Sequence, residues 1–190
     1  MPSTATPFGL RPVFHMSGGL VRPTSGTILN SYATAIYQGA PVKIHTDGTL
    51  NLAAAGDDQF IVGSFLGVEY TESTGVRKVT NFWPGAVSGA TDIVAYYYND
   101  PAIVYLMQSD DSVALADIGS QGNLVNPGTG SANTGVSTAA LDDSTLSAST
   151  AKQLQIIAIA PGPFNEAGDA YTNVYVKIAQ HQFAARPAAF

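Results

Sequence analysis

Apolar and polar positions alternate with period two over much of this chain, and amphipathic-helix periodicity is nearly absent. Val42 and Ile44 alternate with Lys43 and His45, Thr46-Asp-Gly48 is a tight-turn signal, and Thr49-Leu-Asn-Leu52 resumes the alternation, so residues 41–52 are predicted as a hairpin. Residues 60–70 form a β-rich run whose interior glycines, Gly63 and Gly67, predict a bulge or a close backbone approach. A strand at 79–83 ends at Pro84-Gly85. Residues 92–98 and 102–108 flank Asn99-Asp-Pro101 and read as a second hairpin, rich in tyrosine. Residues 153–159 and 172–178 complete the set. About seven to nine strands with turn signals every ~8–12 residues predict an all-β chain, an antiparallel β-sandwich or barrel. Its expected core is Val42, Ile44, Leu50, Ile61, Phe65, Val94, Tyr96, Ile103, Tyr105, Ile156, Val174, Val176 and Ile178.

The ends break this pattern. Residues 1–27 hold Pro2, Pro7, Pro12 and Pro23 with four glycines, which exclude a helix or a central strand. Yet Phe8, Leu10, Val13, Phe14, Leu20 and Val21 demand burial. An extended N-terminal arm satisfies both. Its expected partner contacts are Phe8, Leu10, Arg11, Val13, Phe14, Leu20 and Val21, with folding back onto its own sheet as the competing outcome. The β domain is expected over 28–183, with a loop-rich insertion at 109–150 in which 138–153 reads as a short helix, and an extended tail over 184–190.

Composition narrows the role. Charged residues are 12% of the chain, about half the ~25% of an ordinary soluble domain. A weakly charged surface rich in Ala, Gly, Ser and Thr suits packing against copies of itself or a partner. The net charge is −6 and the 8 Lys and Arg are scattered, Arg77-Lys78 being the one adjacent pair, so neither nucleic acid nor an anionic membrane has an electrostatic footprint to bind. No apolar run is long enough to span a bilayer, and the N-terminus lacks the pattern of a signal peptide. With no cysteine, thiol chemistry and disulfides are excluded.

Motifs for catalysis and metal binding are missing. His15, His45 and His181 stand far apart, without metal-ligand spacing. The acidic pairs Asp57-Asp58, Asp110-Asp111 and Asp142-Asp143 fall in expected loops and fit no calcium-loop pattern. No nucleophile elbow or phosphate loop occurs. The expectation is a protein that is not an enzyme and takes no cofactor or metal.

Several segments carry a resemblance. Pro7-Phe-Gly-Leu-Arg-Pro-Val13 resembles the N-terminus of small structural proteins encoded beside the major capsid genes of tailed bacteriophages. Gly39-Ala-Pro-Val42, the strand Phe65-Leu-Gly-Val-Glu-Tyr70, and Tyr171-Thr-Asn-Val-Tyr-Val-Lys-Ile178 near His181-Gln-Phe183 are similar to later segments of the same group. The likeness is one of pattern and covers most of the chain. It implies a capsid decoration or cement protein on the outer capsid surface of the virion, assembled in the host cytoplasm. The implied partners are the major capsid protein and the chain itself, as a homotrimer or else a homodimer, since closed symmetry hides sheet edges. The alternative is a receptor- or glycan-binding β-module of a virion, such as a tail-fibre or adhesin head, for which Tyr96-Tyr97-Tyr98 speaks. A hydrolase on a β scaffold is the third reading.

Overall fold

A computed structural model describes residues 4–184. In chain order its strands are β1 (Arg11–His15), β2 (Thr24–Gly26), β3 (Pro41–Ile44), β4 (Leu50–Leu52), β5 (Gly63–Thr71), β6 (Arg77–Thr80) and β7 (Thr91–Tyr98). The second half adds β8 (Ile103–Gln108), β9 (Gln121–Val125), β10 (Gly130–Ser131), β11 (Val136–Ser137), β12 (Ala140–Ser147), β13 (Leu154–Ile159) and β14 (Asn173–Ile178). The helical piece is a single 3-10 turn, Leu115–Asp117, and among the described residues no helix is long and apolar enough to cross a membrane.

Two six-stranded antiparallel sheets pack together. The first runs β1-β8-β14-β13-β9-β12. It rolls up, because Ser109, just past β8, bridges Leu141 of β12 in parallel, and the Asp110 N–H donates to the Leu141 carbonyl at 2.9 Å. Inside the roll, Ile103, Tyr105 and Met107 of β8 meet Ile156 of β13 and Val174, Val176 and Ile178 of β14. These are the period-two positions of each strand. The second sheet runs β2-β7-β5-β3-β4, with β6 on the far half of β5. Its cluster holds Val42, Leu50, Phe65, Val68 and Tyr70 around Trp83, whose indole N–H donates to the Tyr32 carbonyl at 3.0 Å.

Local chemistry explains the elements. In the β3–β4 turn, Asp47 Oδ1 accepts from the Thr49 N–H at 3.0 Å and from its hydroxyl at 2.7 Å, which closes the hairpin over residues 41–52. The bulge appears where Gly67 predicts it: the β5–β7 register shifts between Phe65 and Gly67. One extra residue puts Phe65 and Val68, three apart, on the same inward face as Tyr70. Gly63 backs onto the next strand so closely that a Cβ there would collide with the Tyr98 carbonyl oxygen.

Four expectations are corrected. Residues 92–98 and 102–108 are not a hairpin: β7 pairs with β5 and β2, while β8 pairs with β1 and β14 in the other sheet. Asn99-Asp-Pro101 does turn the chain, with Asp100 Oδ1 accepting from the Ala102 N–H at 2.8 Å, but it turns it from one sheet to the other. The inward face of β7 is Ala95 and Tyr97, so Val94 and Tyr96 lie outside the core, half-buried. Residues 140–147 are strand, not helix, because β9 supplies a ladder partner. The stretch 109–150 therefore gives the rolled sheet two of its strands, β9 and β12. The tail expected over 184–190 lies, apart from Ala184, outside the described residues.

Candidate partner-binding surface

The N-terminal segment lies on its own molecule. The Leu10 N–H donates to the Gly39 carbonyl at 2.8 Å, and the Leu10 carbonyl accepts from the Ser64 hydroxyl at 2.6 Å. Its side chain is fully buried in the cluster of the rolled sheet. Leu10 is thus a core residue and is not available to a partner. Gly9 lets the backbone approach, since a Cβ there would collide with the Gly39 carbonyl oxygen. Beyond it β1 takes the edge of the first sheet and β2 the edge of the second. Pro12, which lacks a donor, is tolerated on an edge strand.

The register of β1 on β8 shifts between Pro12 and Phe14. Neighbours on a regular strand face opposite ways, but here Val13 and Phe14 are both exposed, at 43% and 42%. Phe14 leans edge-on against Tyr175 at 5.6 Å between ring centroids. Met16 and Leu20 follow at 56% and 74% exposed. Val21 is half-buried against the rolled sheet's cluster. Phe8 is half-buried too, with the guanidinium carbon of Arg11 4.7 Å from its ring centroid. The structure therefore gathers Val13, Phe14 and Leu20 on an exposed segment, adds Met16, and withdraws Leu10. Met16 was legible as an apolar residue between Pro12 and Pro23 but was passed over.

This segment is held in shape. His15 Nε2 lies 3.1 Å from Asp100 Oδ2, and its Nδ1 is 2.8 Å from the Ser17 hydroxyl. The Asp100 carboxyl is held below its usual range by the Ala102 N–H and then by His15. Residues 11–18 are consequently held in place, with Val13, Phe14 and Met16 exposed on them and Leu20 following.

Other polar groups are used locally. Asp57 takes Lys152 Nζ at 2.7 Å and the Asn123 amide at 2.6 Å, which hold its carboxyl low. The two acidic pairs Asp110-Asp111 and Asp142-Asp143 come together where the sheet rolls shut, and the Asp143 N–H donates to Asp110 Oδ1 at 2.8 Å. The Asp143 carboxyl is pushed up, first by burial and then by the charges of Asp111, Asp110, Asp117 and Asp142. Among the described residues no group of three or more His, Asp or Glu could hold a metal ion. Burial pushes the His181 imidazole down; its Nδ1 accepts from the Phe183 N–H at 3.0 Å. Of Tyr96-Tyr97-Tyr98, Tyr97 is in the core and the Tyr96 hydroxyl donates to Glu69 at 2.6 Å, a carboxylate that also pairs with Arg77 at 3.0 Å. The three rings do not form one exposed face.

Comparison with protein-family models, with curated proteins and with solved structures finds no match for this chain.

Proposed function

We propose that this chain is a non-enzymatic structural protein of a tailed-phage head that adds to the outer capsid surface and stabilises contacts between major capsid subunits. The observation that carries the reading is the exposed strip Val13, Phe14, Met16 and Leu20 on a segment bonded to its own body. Single exposed apolar residues are ordinary; a run of them on one fixed edge marks a binding surface. At ~25 cal/mol per Å², covering such side chains supplies several kcal/mol before ordering terms are subtracted. Because the segment is already bonded in place, less entropy is lost on attachment than for a free arm. Many copies, each held weakly, then reinforce a lattice through multivalency. The motif resemblance and the low charge support the same role, with the chain acting as a homotrimer or homodimer.

The test is a triple variant, Val13→Ser, Phe14→Ser and Leu20→Ser, incubated with shells assembled from the major capsid protein of the same genome. The variant should fold cooperatively, with a melting temperature lowered only by the loss of the Phe14–Tyr175 contact, and lose attachment. Undiminished occupancy on the shells would reject the strip as the contact. Wild-type protein that binds a glycan array but no shell would favour the receptor-binding alternative.

A further inference from the structure

A cleft of about 280 Å³ opens where the N-terminal segment crosses between the sheets. The half-buried Phe8, Pro12, Leu66 and Val136 supply its apolar wall, and Arg11, Gln38 and Tyr98 bring polar groups to it. We propose that this cleft seats a carboxylate side chain, next to an apolar one, on an extended segment of the partner protein, with Arg11 as its grip. The inference rests on the attachment role proposed above and names the chemistry of the partner.

The charge pattern selects the occupant. Arg11 is the one ionisable cation lining the cleft, and no carboxylate lines it. Arg77, Lys78 and Lys152 sit 3.0, 3.3 and 2.7 Å from acidic oxygens, while Arg22, Lys43 and Lys177, like Arg11, have no ion pair among the described residues; of these four only Arg11 lines the cleft. The Arg11 guanidinium has no ion pair or hydrogen bond to another described residue and lies over the face of the Phe8 ring. Stacking on a ring leaves the in-plane N–H donors of a guanidinium free, and that planar fork matches a carboxylate. The Gln38 amide and the Tyr98 hydroxyl likewise make no side-chain hydrogen bond to a described residue, whereas the Ser64 hydroxyl is already given to Leu10. A cation and two polar groups without side-chain partners among the described residues, beside an apolar wall, fit an anionic group with an apolar neighbour. The cleft falls just short of the ~300–1,000 Å³ of small-molecule sites, which suits a side chain or two. An extended ligand fits β1, which supplies Arg11 and Pro12 to the cleft and ends its sheet with no further strand paired to it.

The test has two arms. In the first, the full chain is titrated with 3-phenylpropionate and with 3-phenylpropanamide while backbone amide NMR signals are followed. The acid should shift Gln38, Gly39, Leu66 and Tyr98, and the amide should bind at least roughly tenfold more weakly. Arg11→Gln should abolish the difference without lowering the melting temperature, and Arg11→Lys should restore part of it. No shift at millimolar acid, equal binding of acid and amide, or an unchanged preference in Arg11→Gln would overturn the inference. In the second arm, wild type and Arg11→Gln are sedimented with major capsid protein shells. Weaker attachment of Arg11→Gln, by about tenfold, supports the assignment, and equal attachment overturns it. Wild type that ignores the shells while still taking the acid would remove the attachment role and uphold the chemistry of the cleft.

Discussion

Replacing Leu10 by alanine tests whether the N-terminal segment belongs to its own core. The side chain is fully buried against the rolled sheet, and both of its backbone groups are bonded, to Gly39 and Ser64. Those bonds survive truncation and hinder collapse of the site, so a cavity should remain. Leu→Ala in such a setting costs about 3–4 kcal/mol. For a domain of this size each kcal/mol moves the midpoint by about 2–4 °C, so Tm should fall by roughly 6–16 °C. The single tryptophan, Trp83, reports from the core of the other sheet, and its fluorescence followed with far-UV circular dichroism gives two probes of one transition. Leu20→Ala is the control, expected within about 0.5 kcal/mol of wild type because Leu20 is exposed. A Leu10→Ala protein as stable as that control would refute the docking of this segment on its own body.

Three other outcomes are expected. Gly63→Ala should give insoluble or unfolded protein on expression, because the added methyl meets backbone, the Tyr98 carbonyl, where no side chain can yield. Gln153→Leu should lower stability by at least about 3 kcal/mol in urea titration. It would strip partners from the Gly56 and Leu124 N–H groups and from the Ala54 and Gln59 carbonyls. His181 should make the fold acid-sensitive. Its folded pKa lies below the free value, so its contribution is complete above about pH 6.5 and declines as the pH falls below that, when the unfolded chain takes the proton first. His181→Asn should flatten Tm against pH between about 6.5 and 5, and an unchanged slope would assign the sensitivity elsewhere. The carboxylates of Asp47, Asp57, Glu69 and Asp100, all held low, lose their share only at more acidic pH.

What was legible in the sequence was what is decided locally. Asp47 and Gly48 fix a turn within a few residues, so the hairpin at 41–52 could be read directly. Gly67 announced its bulge because an interior glycine has few other uses in a strand. What failed was pairing. Asn99-Asp-Pro101 encodes a turn, but a turn does not say which strand lies beside the next one, and here β7 and β8 part company. Period-two placement puts Val94 and Tyr96 on one face, but it does not say which face is inward, and in the structure the inward face is the one of Ala95 and Tyr97. For β12, Leu141 and Leu146 in a stretch of small polar residues suggest a short helix, and the ladder that makes it a strand comes from residues some twenty positions away. At the candidate site, apolar content marked the N-terminal segment, while the division between buried Leu10 and exposed Leu20 depends on Gly39 and Ser64. The role of Gln153 had no sequence signal at all.

The cleft beside Arg11 is assembled from pieces scattered along the chain, from Phe8 to Val136. During synthesis, at about 5–20 residues per second, roughly 6–25 s separate the emergence of its first and last walls. Leu10 must wait for Gly39 and Ser64, β1 for its partner strand Ile103–Gln108, and the cleft for Val136. The surface offered to a partner is therefore a product of completed folding. A nascent chain shorter than Val136 lacks one wall of it, so any partner that recognises this cleft would pass such chains over.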